Sequence, residues 1–309
     1  MTSRDKKASD TSVVEALNDL GLQSAIFPVE RVFELFGELA GRAERGEISS
    51  LLLGERYLSH LAVEPPEVPG WALSVILVSM AQPIGRFRFR HDRGSTWAIV
   101  PPQYRENQDE SVAGFLRRIL GPDGFRALKA RIPFKLAAAR CGLGEYGRNN
   151  IVFTKENGSF LRLAAFYSDL PCVGASWRDP VLMKACTDCR ACLEHCPTGC
   201  IVNDRFIVRG ERCLTFHNED PQPLPGWIDP RWSNALVGCM RCQSVCPVDR
   251  PVLARIETWD TFSESETAIL LSQAEASSLP VSISRRIDRV GLGDYIPVLG
   301  RNLRLLIDR

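Results

Sequence analysis

The chain has no long apolar segment and no excess of charge of either sign. No run of about 18 apolar residues occurs, so the sequence predicts no transmembrane helix and no membrane partner. The N-terminus, MTSRDKKASDTS, is polar and leads into no apolar stretch, so we expect no secretory signal and a cytoplasmic location. The 38 basic and 37 acidic residues leave a net charge of +1, which gives no overall attraction for a polyanion.

Cysteine, by contrast, is abundant, with 11 among 309 residues. Hydrophobic residues make up 45% of the chain and charged residues 24%, which is ordinary for a soluble globular protein of one large or two moderate domains. A chain of this size and composition can bury a full hydrophobic core without disulfide bonds. We therefore expect the cysteines to bind metal in a reducing compartment rather than to form disulfides.

Two cysteine motifs dominate the second half of the sequence. The first is C-x2-C-x2-C-x3-C-P, formed by Cys186, Cys189, Cys192, Cys196 and Pro197. The second is C-x2-C-x3-C-P, formed by Cys239, Cys242, Cys246 and Pro247. This spacing is typical of ferredoxin-type domains with two 4Fe–4S clusters, in which the cysteine before each proline ligates the other cluster. A structural zinc site would instead pair one C-x2-C with a second, distant pair.

The crossed pattern predicts two ligand sets. The first set is Cys186, Cys189, Cys192 and Cys246. The second set is Cys239, Cys242, Cys196 and one further cysteine. Two residues are candidates for that eighth position: Cys213, in the segment GERCLTFHNE between the motifs, and Cys200, four residues after Cys196. Spacing favours Cys213, because it approaches from an independent segment.

The N-terminal half alternates predicted helices and strands. Residues 1 to about 10 are predicted to be a disordered tail, and amphipathic helices are expected over 13–22, 29–43 and 109–120. The apolar run 71–80 predicts a strand in a sheet covered on both faces, and further strands are expected at 96–100, 151–154 and, last, 160–167. RFRFRH at 86–91 suits an edge strand with one wet face better than a nucleic-acid surface.

Tyr104 is the candidate catalytic residue. It follows two prolines, Pro101 and Pro102, which restrict the backbone at the end of the preceding predicted strand. A phenol held in such a loop can donate a proton. The alternative, a tyrosine that packs over the proline rings, is the favoured interpretation.

A glycine-rich loop follows a small-residue helix that begins at Pro133. Its G-x-G-x-x-G pattern, from Gly142 to Gly147, is not a dinucleotide fingerprint, because the glycines follow a helix and precede a strand. Three glycines in six residues still allow a backbone to approach a flat or bulky ligand closely. The donors of Arg148, Asn149 and Asn150 stand in the same loop.

The cysteine block, together with GLGEYGRNNIVFTKENGSF, resembles the epoxyqueuosine reductases and, more distantly, the corrinoid reductive dehalogenases. The resemblance covers about residues 130 to 250. It implies a cobalamin held between a nitroreductase-like α/β domain and the ferredoxin-like domain, with electrons passing from the clusters to cobalt. It also implies that Cys213 is the eighth ligand. The implied corrinoid-binding residues are Gly144, Tyr146, Gly147, Arg148, Asn149 and Asn150.

Two features depart from that family. The residues before Pro133 are Ala130, Arg131 and Ile132, where the tRNA-modifying enzymes carry an acidic proton donor. The segment after the clusters predicts only one or two helices, too few for a repeat array that would help to hold tRNA. We therefore expect a paralogue that reduces an unknown small molecule or corrinoid protein, with tRNA disfavoured as a partner.

The predicted fold class is α+β, and the chain divides into three predicted parts. These are an α/β cobalamin or substrate domain (1–175), a double 4Fe–4S ferredoxin-like domain (176–255) and a C-terminal helical extension (256–309). The predicted enzyme is an oxidoreductase that takes electrons from a low-potential ferredoxin or flavodoxin-like donor. The alternative is an electron-transfer or corrinoid-activating protein without substrate turnover.

Overall fold

A computed structural model describes residues 8–52, 65, 67–105, 107–172, 174–204, 207–272 and 279–309. The described helices are α1 (Asp10–Asp19), α2 (Arg31–Glu44), α3 (Asn107–Leu120), α4 (Phe134–Arg140), α5 (Ala191–Glu194), α6 (Leu214–Glu219), α7 (Arg241–Ser244), α8 (Glu264–Leu271), α9 (Val281–Asp288) and α10 (Ile296–Ile307). The described strands are β1 (Gln23–Pro28), β2 (Ser74–Ala81), β3 (Ile84–His91), β4 (Gly94–Val100), β5 (Ala127–Ala130), β6 (Glu145–Tyr146), β7 (Val152–Phe153), β8 (Leu161–Ser168) and β9 (Ile256–Phe262). Most of the predicted tail, residues 1–7, lies outside the described part. None of the described helices is long and apolar enough to cross a bilayer.

The main sheet is antiparallel, with strand order β1-β2-β8-β5. Side chains of β2 alternate between two cores, as the two-residue period of a strand requires. Val75 and Leu77 pack with α2 and α4, whereas Ile76 and Val78 pack with α1 and α3. The prediction of a strand covered on both faces is therefore confirmed, and the architecture is a mixed α/β fold.

A second sheet has the order β4-β3-β9, so β3 is its central strand. The prediction of an edge strand at 86–91 is wrong, because β9 pairs with β3 in parallel after the chain has passed through both cysteine motifs. The wet face is confirmed: Arg86 and Arg88 alternate with the buried Phe87 and Phe89. On that face Arg86 lies over the Trp97 ring at 4.2 Å.

The segment after the clusters begins with β9 and not with a helix, so its prediction as purely helical is wrong, and so is the prediction that 160–167 is the last strand. Phe262 at the end of β9 stacks on Phe89 with ring centroids 5.0 Å apart. Helices α8, α9 and α10 complete this second core. Arg286 of α9 joins the elements by ion pairs to Asp260, at 2.7 Å, and Glu266, at 2.6 Å.

The glycine-rich loop runs from α4 into the short hairpin of β6 and β7, which is the predicted order of helix, glycines and strand. A Cβ atom at Gly144 would lie 2.5 Å from Val152 Cγ1 and 2.9 Å from the Phe153 carbonyl oxygen. Glycine is thus required at this position by the approach of the hairpin's own backbone.

Candidate iron–sulfur centres

Four cysteines of the first predicted ligand set line one small cavity, although Cys246 comes from the second motif. The set is Cys186, Cys189, Cys192 and Cys246. Burial, and then the neighbouring Cys186, Cys246 and Cys189, raise the pKa of the Cys192 thiol to about 11. The fold therefore brings Cys246 of the second motif next to three cysteines of the first motif, as the crossed pattern requires.

The second set gathers Cys196, Cys213, Cys239 and Cys242. Burial raises the pKa of Cys239 to about 11, with Cys213 and Cys196 among the neighbours that add to the shift. Burial also raises the pKa of Cys242 well above its ordinary value, and Cys239, Cys213, Cys192 and Cys196 all contribute. Because Cys192 belongs to the first set, the two sets are adjacent.

These two sets fit the iron–sulfur groups that the motifs imply. Sulfurs that raise one another's pKa in buried surroundings need nearby positive charge to remain thiolates, and the irons of a cluster supply it. Among the described residues, no three His, Cys, Asp or Glu side chains converge closely enough to hold a single metal ion.

Arg148 holds the loop of the first motif. Its Nε donates to the Cys189 carbonyl oxygen at 3.0 Å, and its Nη2 donates to those of Cys186 at 2.6 Å and Thr187 at 3.1 Å. Its Nη1 donates to Asn203 Oδ1 at 3.0 Å. One guanidinium therefore fixes the backbone that presents two cysteines of the first set.

Asn234 performs a similar task at the second motif. Its Nδ2 donates to Cys239 Sγ at 3.2 Å, and its Oδ1 accepts from the Met240 backbone at 2.7 Å. The backbone N–H of Arg241 also points at Cys239 Sγ, at 3.5 Å. Sequence reasoning missed Asn234, because an asparagine five residues before a cysteine belongs to no spacing rule.

Two further asparagines connect the second motif to the C-terminal helix. Asn218 Nδ2 donates to the Gly238 carbonyl oxygen at 2.9 Å. Asn302 Nδ2, on α10, donates to the backbone carbonyl oxygen of Asn218 at 2.8 Å. Both asparagines are fully buried. The loop before Cys239 is thereby fixed from inside the second core.

Tyr104 lies beside the same loop. It is 6% exposed, its hydroxyl donates to the Glu219 carboxylate, and its ring meets Tyr295 edge-on at 5.4 Å. A Cβ atom at Gly238 would collide with the phenol oxygen, so the two residues are packed together. These contacts place Tyr104 in packed surroundings beside the loop before Cys239.

The six residues implied for corrinoid binding lie in several environments. Gly144 lines the larger cavity described below, whereas Arg148 and Asn149 line the small cavity of the first cysteine set. The Tyr146 side chain is in the main core, and Gly147 packs against Phe153. Asn150 adopts a left-handed backbone with φ of 59°, and its carbonyl oxygen accepts from Lys135 Nζ at 3.1 Å.

A larger cavity of about 780 Å³ lies where the α/β part meets residues that flank the cysteine motifs. It is lined by Ser24, Gly142 and Gly144 of the α/β part, by Met183, just before the first motif, and by Val248, just after the second. Three polar atoms of lining residues are buried without a hydrogen-bond partner among the described residues: Gln23 Oε1, Ser24 Oγ and Thr154 Oγ1. Buried polar atoms without partners are costly, so the cavity suits a ligand that offers hydrogen bonds.

Residues 185–249, which contain both cysteine sets, match the family model described as "4Fe-4S double cluster binding domain", so this part of the chain is a double-cluster binding domain. The chain is similar to the epoxyqueuosine reductase of Shigella dysenteriae serotype 1, with 30% identity over 161 residues, or 50% of this chain and 41% of the relative. It is 32% identical to that of Pseudomonas aeruginosa over 145 residues, or 46% and 39%. The matched region thus spans less than half the length of these curated relatives.

Solved structures of epoxyqueuosine reductases have a fold similar to that of this chain. The epoxyqueuosine reductase of Streptococcus thermophilus aligns with a TM-score of 0.65 at 18% identity, over 96% of this chain and 80% of that one. The enzyme from Bacillus subtilis aligns with a TM-score of 0.66 at 20% identity, over the same shares. The resemblance inferred from the cysteine and glycine blocks is confirmed, and the mixed α/β fold is that of these reductases.

Proposed function

We propose that the chain is an iron–sulfur oxidoreductase that uses a corrinoid to reduce an acceptor other than the tRNA nucleoside of its relatives. The observation that carries the proposal is the presence of two adjacent, crossed cysteine sets next to a large cavity with unpaired polar atoms. When bound, the clusters supply low-potential one-electron transfer and the corrinoid supplies a strongly reducing cobalt.

The second cysteine set is the proposed entry point for electrons. Its four cysteines are all half-buried, so a ferredoxin or flavodoxin-like donor has access to this side. In the first set, Cys186 and Cys192 are buried, and the neighbouring Met183 and Val248 line the larger cavity, which suits an inner position beside the corrinoid. Arg148 and Asn234 keep the two loops in place and limit their rearrangement when electrons arrive.

The larger cavity is the proposed place for part of the corrinoid. A corrinoid carries amide groups around its rim, and these both donate and accept hydrogen bonds. Gln23 Oε1, Ser24 Oγ and Thr154 Oγ1 offer matching partners, while Phe153 and Met183 contribute apolar surface. In this proposal the nitroreductase-like α/β part, 1–175, and the ferredoxin-like part, 176–255, share the site, and 256–309 supports the second cluster.

The acceptor is proposed to differ from that of the relatives because of the residues before Pro133. Ala130 ends β5 and is buried, Arg131 is exposed and Ile132 is buried, so none of the three offers a carboxylic acid. An unknown small molecule or a corrinoid protein is the proposed acceptor, and a role of Tyr104 as proton donor is the alternative that the Tyr104→Phe variant tests.

Anaerobic purification from cobalamin-fed cells tests the corrinoid proposal. We expect corrinoid bands beneath the cluster absorbance in the visible spectrum. Thr154→Val, which removes an unpaired hydroxyl and keeps the shape, should retain less corrinoid with unchanged iron content. Intact clusters in protein that binds no cobalamin, even when cobalamin is added, would contradict the proposal.

The absence of a carboxylate before Pro133 also favours a second candidate, an electron-transfer or corrinoid-activating protein. Single-turnover assays with reduced protein distinguish the two functions. Product formed from a small acceptor without a partner protein supports the reductase. Electron transfer only to an added corrinoid protein supports the second candidate.

A further inference from the structure

The wet face of the second sheet carries a row of three arginines. Arg86, Arg88 and Arg90 alternate along β3, so neighbouring members of the row are about 7 Å apart on one face. Arg86 Nε donates to Thr258 Oγ1 at 2.9 Å, and Arg88 Nη2 donates to Ser95 Oγ at 3.2 Å. These acceptors are neutral, and none of the three arginines forms an ion pair with another described residue.

The acidic residues of the same sheet lie on its other face. Strands β3, β4 and β9 contain only Glu257 and Asp260, which pair in register with Gly85 and Phe87. Asp260 forms an ion pair with Arg286 of α9, on the side of the second core. The positive charge of the wet face is therefore not balanced by a carboxylate of these strands, and a negatively charged surface would complement it.

Trp97 stands in the middle of the arginine row. It pairs in register with Arg88, and the guanidinium groups of Arg86 and Arg88 lie 4.2 Å and 5.8 Å from its ring. The Trp97 side chain is nevertheless 45% exposed. Tryptophan and arginine are the residues most enriched at the energetic centres of protein–protein interfaces. We call the surface of Arg86, Arg88, Arg90 and Trp97 the arginine face.

The arginine face begins where the second cysteine motif packs on the sheet. Ile84 precedes Arg86 by two residues, and Ile99 is the strand partner of Arg86, so both share its face. Ile84 and Ile99 pack with Met240, which follows Cys239 directly in the second motif. A protein bound to the arginine face would therefore lie beside the second cysteine set.

We propose that the arginine face is the docking surface for an acidic electron-donor protein of the flavodoxin type, which reduces the second cluster. The proposal rests on the proposed function, in which electrons enter at the second set. One electron passes from the fully reduced flavin, which is thereby oxidised by one electron, to the oxidised cluster, and no bond forms or breaks. The row spans about 14 Å, which suits a compact acidic patch on a protein.

Charge reversal of the arginine face tests the proposal on the anaerobically reconstituted full chain. A reduced acidic flavodoxin is mixed with the protein in a stopped-flow instrument, and calorimetry measures binding of the oxidised flavodoxin at low ionic strength. Reversal in Arg88→Glu/Arg90→Glu should slow cluster reduction about tenfold or more and weaken binding, and high salt should reduce the difference. Arg88→Gln/Arg90→Gln should give a smaller loss in both measurements.

The matched control is Arg117→Glu/Arg118→Glu, which makes the same change of net charge at two exposed residues of α3. It should leave both the rate and the affinity unchanged. Dithionite, a small reductant that needs no docking surface, should reduce the clusters of all variants equally. This comparison separates loss of docking from loss of folding or of clusters.

Equal rates and affinities in Arg88→Glu/Arg90→Glu and the unmodified chain would overturn the proposal, and so would an equal loss in the control. Weaker binding of a single-stranded RNA by the same variant, with flavodoxin reduction unchanged, would assign the face to nucleic acid instead. Corrinoid content enters none of these measurements. A chain that takes electrons through this face but binds no corrinoid would contradict the proposed function and leave the docking surface standing.

Discussion

The guanidinium of Arg148 donates from Nε to the carbonyl oxygen of Cys189 at 3.0 Å and so joins the glycine-rich loop to the first cysteine motif. Arg148 also donates to the carbonyl oxygens of Cys186 and Thr187. An arginine at the end of a glycine-rich loop resembles a ligand-binding residue in the sequence, yet its donors hold a metal-binding loop in the structure.

Arg148→Ala should therefore lose the first cluster. The variant leaves three backbone carbonyl groups of the loop without their donor, and each lost charge-assisted hydrogen bond costs about 1.5–3 kcal/mol. Iron content should fall from about eight to about four per chain, since each cluster holds four irons. The control Arg190→Ala removes an exposed arginine of the same motif and should keep all the iron. Full iron content in Arg148→Ala would show that the hydrogen bonds of Arg148 are not needed to bind the first cluster.

Asn234→Ala should make the potential of the second cluster more negative, because Cys239 Sγ loses its donor at 3.2 Å. EPR-monitored titration measures the shift, and the potential of the first cluster serves as the internal control. A shift of the first potential alone would contradict the placement of Cys239 in the second set.

Tyr104→Phe should reduce stability and leave turnover intact. The buried hydroxyl donates to Glu219, and loss of such a bond costs about 1 kcal/mol. Tyr167→Phe is the matched control, since the Tyr167 hydroxyl is buried without a partner among the described residues and its removal should be neutral or stabilising. Chemical denaturation and single-turnover assays measure the two effects. Loss of turnover in a stable Tyr104→Phe protein would instead support the proton-donor hypothesis.

His217 should make stability depend on pH. Burial lowers the pKa of its imidazole in the folded state, while Nε2 donates to the Glu211 carbonyl oxygen at 2.9 Å. The unfolded chain therefore binds more protons just below the ordinary pKa of about 6.5, so this contribution is complete above that pH and declines below it. As the pH is lowered from about 8 to about 5.5, the melting temperature should fall, and it should fall less in His217→Gln. An identical pH profile in the variant would exclude His217 as the cause.

Local patterns predicted α2, α3 and β2 because their periodicities are contained in a few consecutive turns or residues. The cysteine sets were predictable for the same reason, since each motif is short and its spacing is set by cluster geometry. The position of β9 was not predictable, because both cysteine motifs lie between it and its partner β3 in the chain. The residues of β9, IETWDTF, also show little alternation between buried and exposed side chains. Asn234 was not predictable either, because it acts through hydrogen bonds that only the folded loop creates.

Iron analysis of anaerobically reconstituted Cys213→Ala, beside the unmodified chain, tests the crossed cysteine sets most directly. The unmodified chain should bind about eight irons, four in each cluster, and the variant about four, with only the EPR signal of the first cluster retained. About eight irons and two unchanged signals in Cys213→Ala would contradict the assignment of the second set.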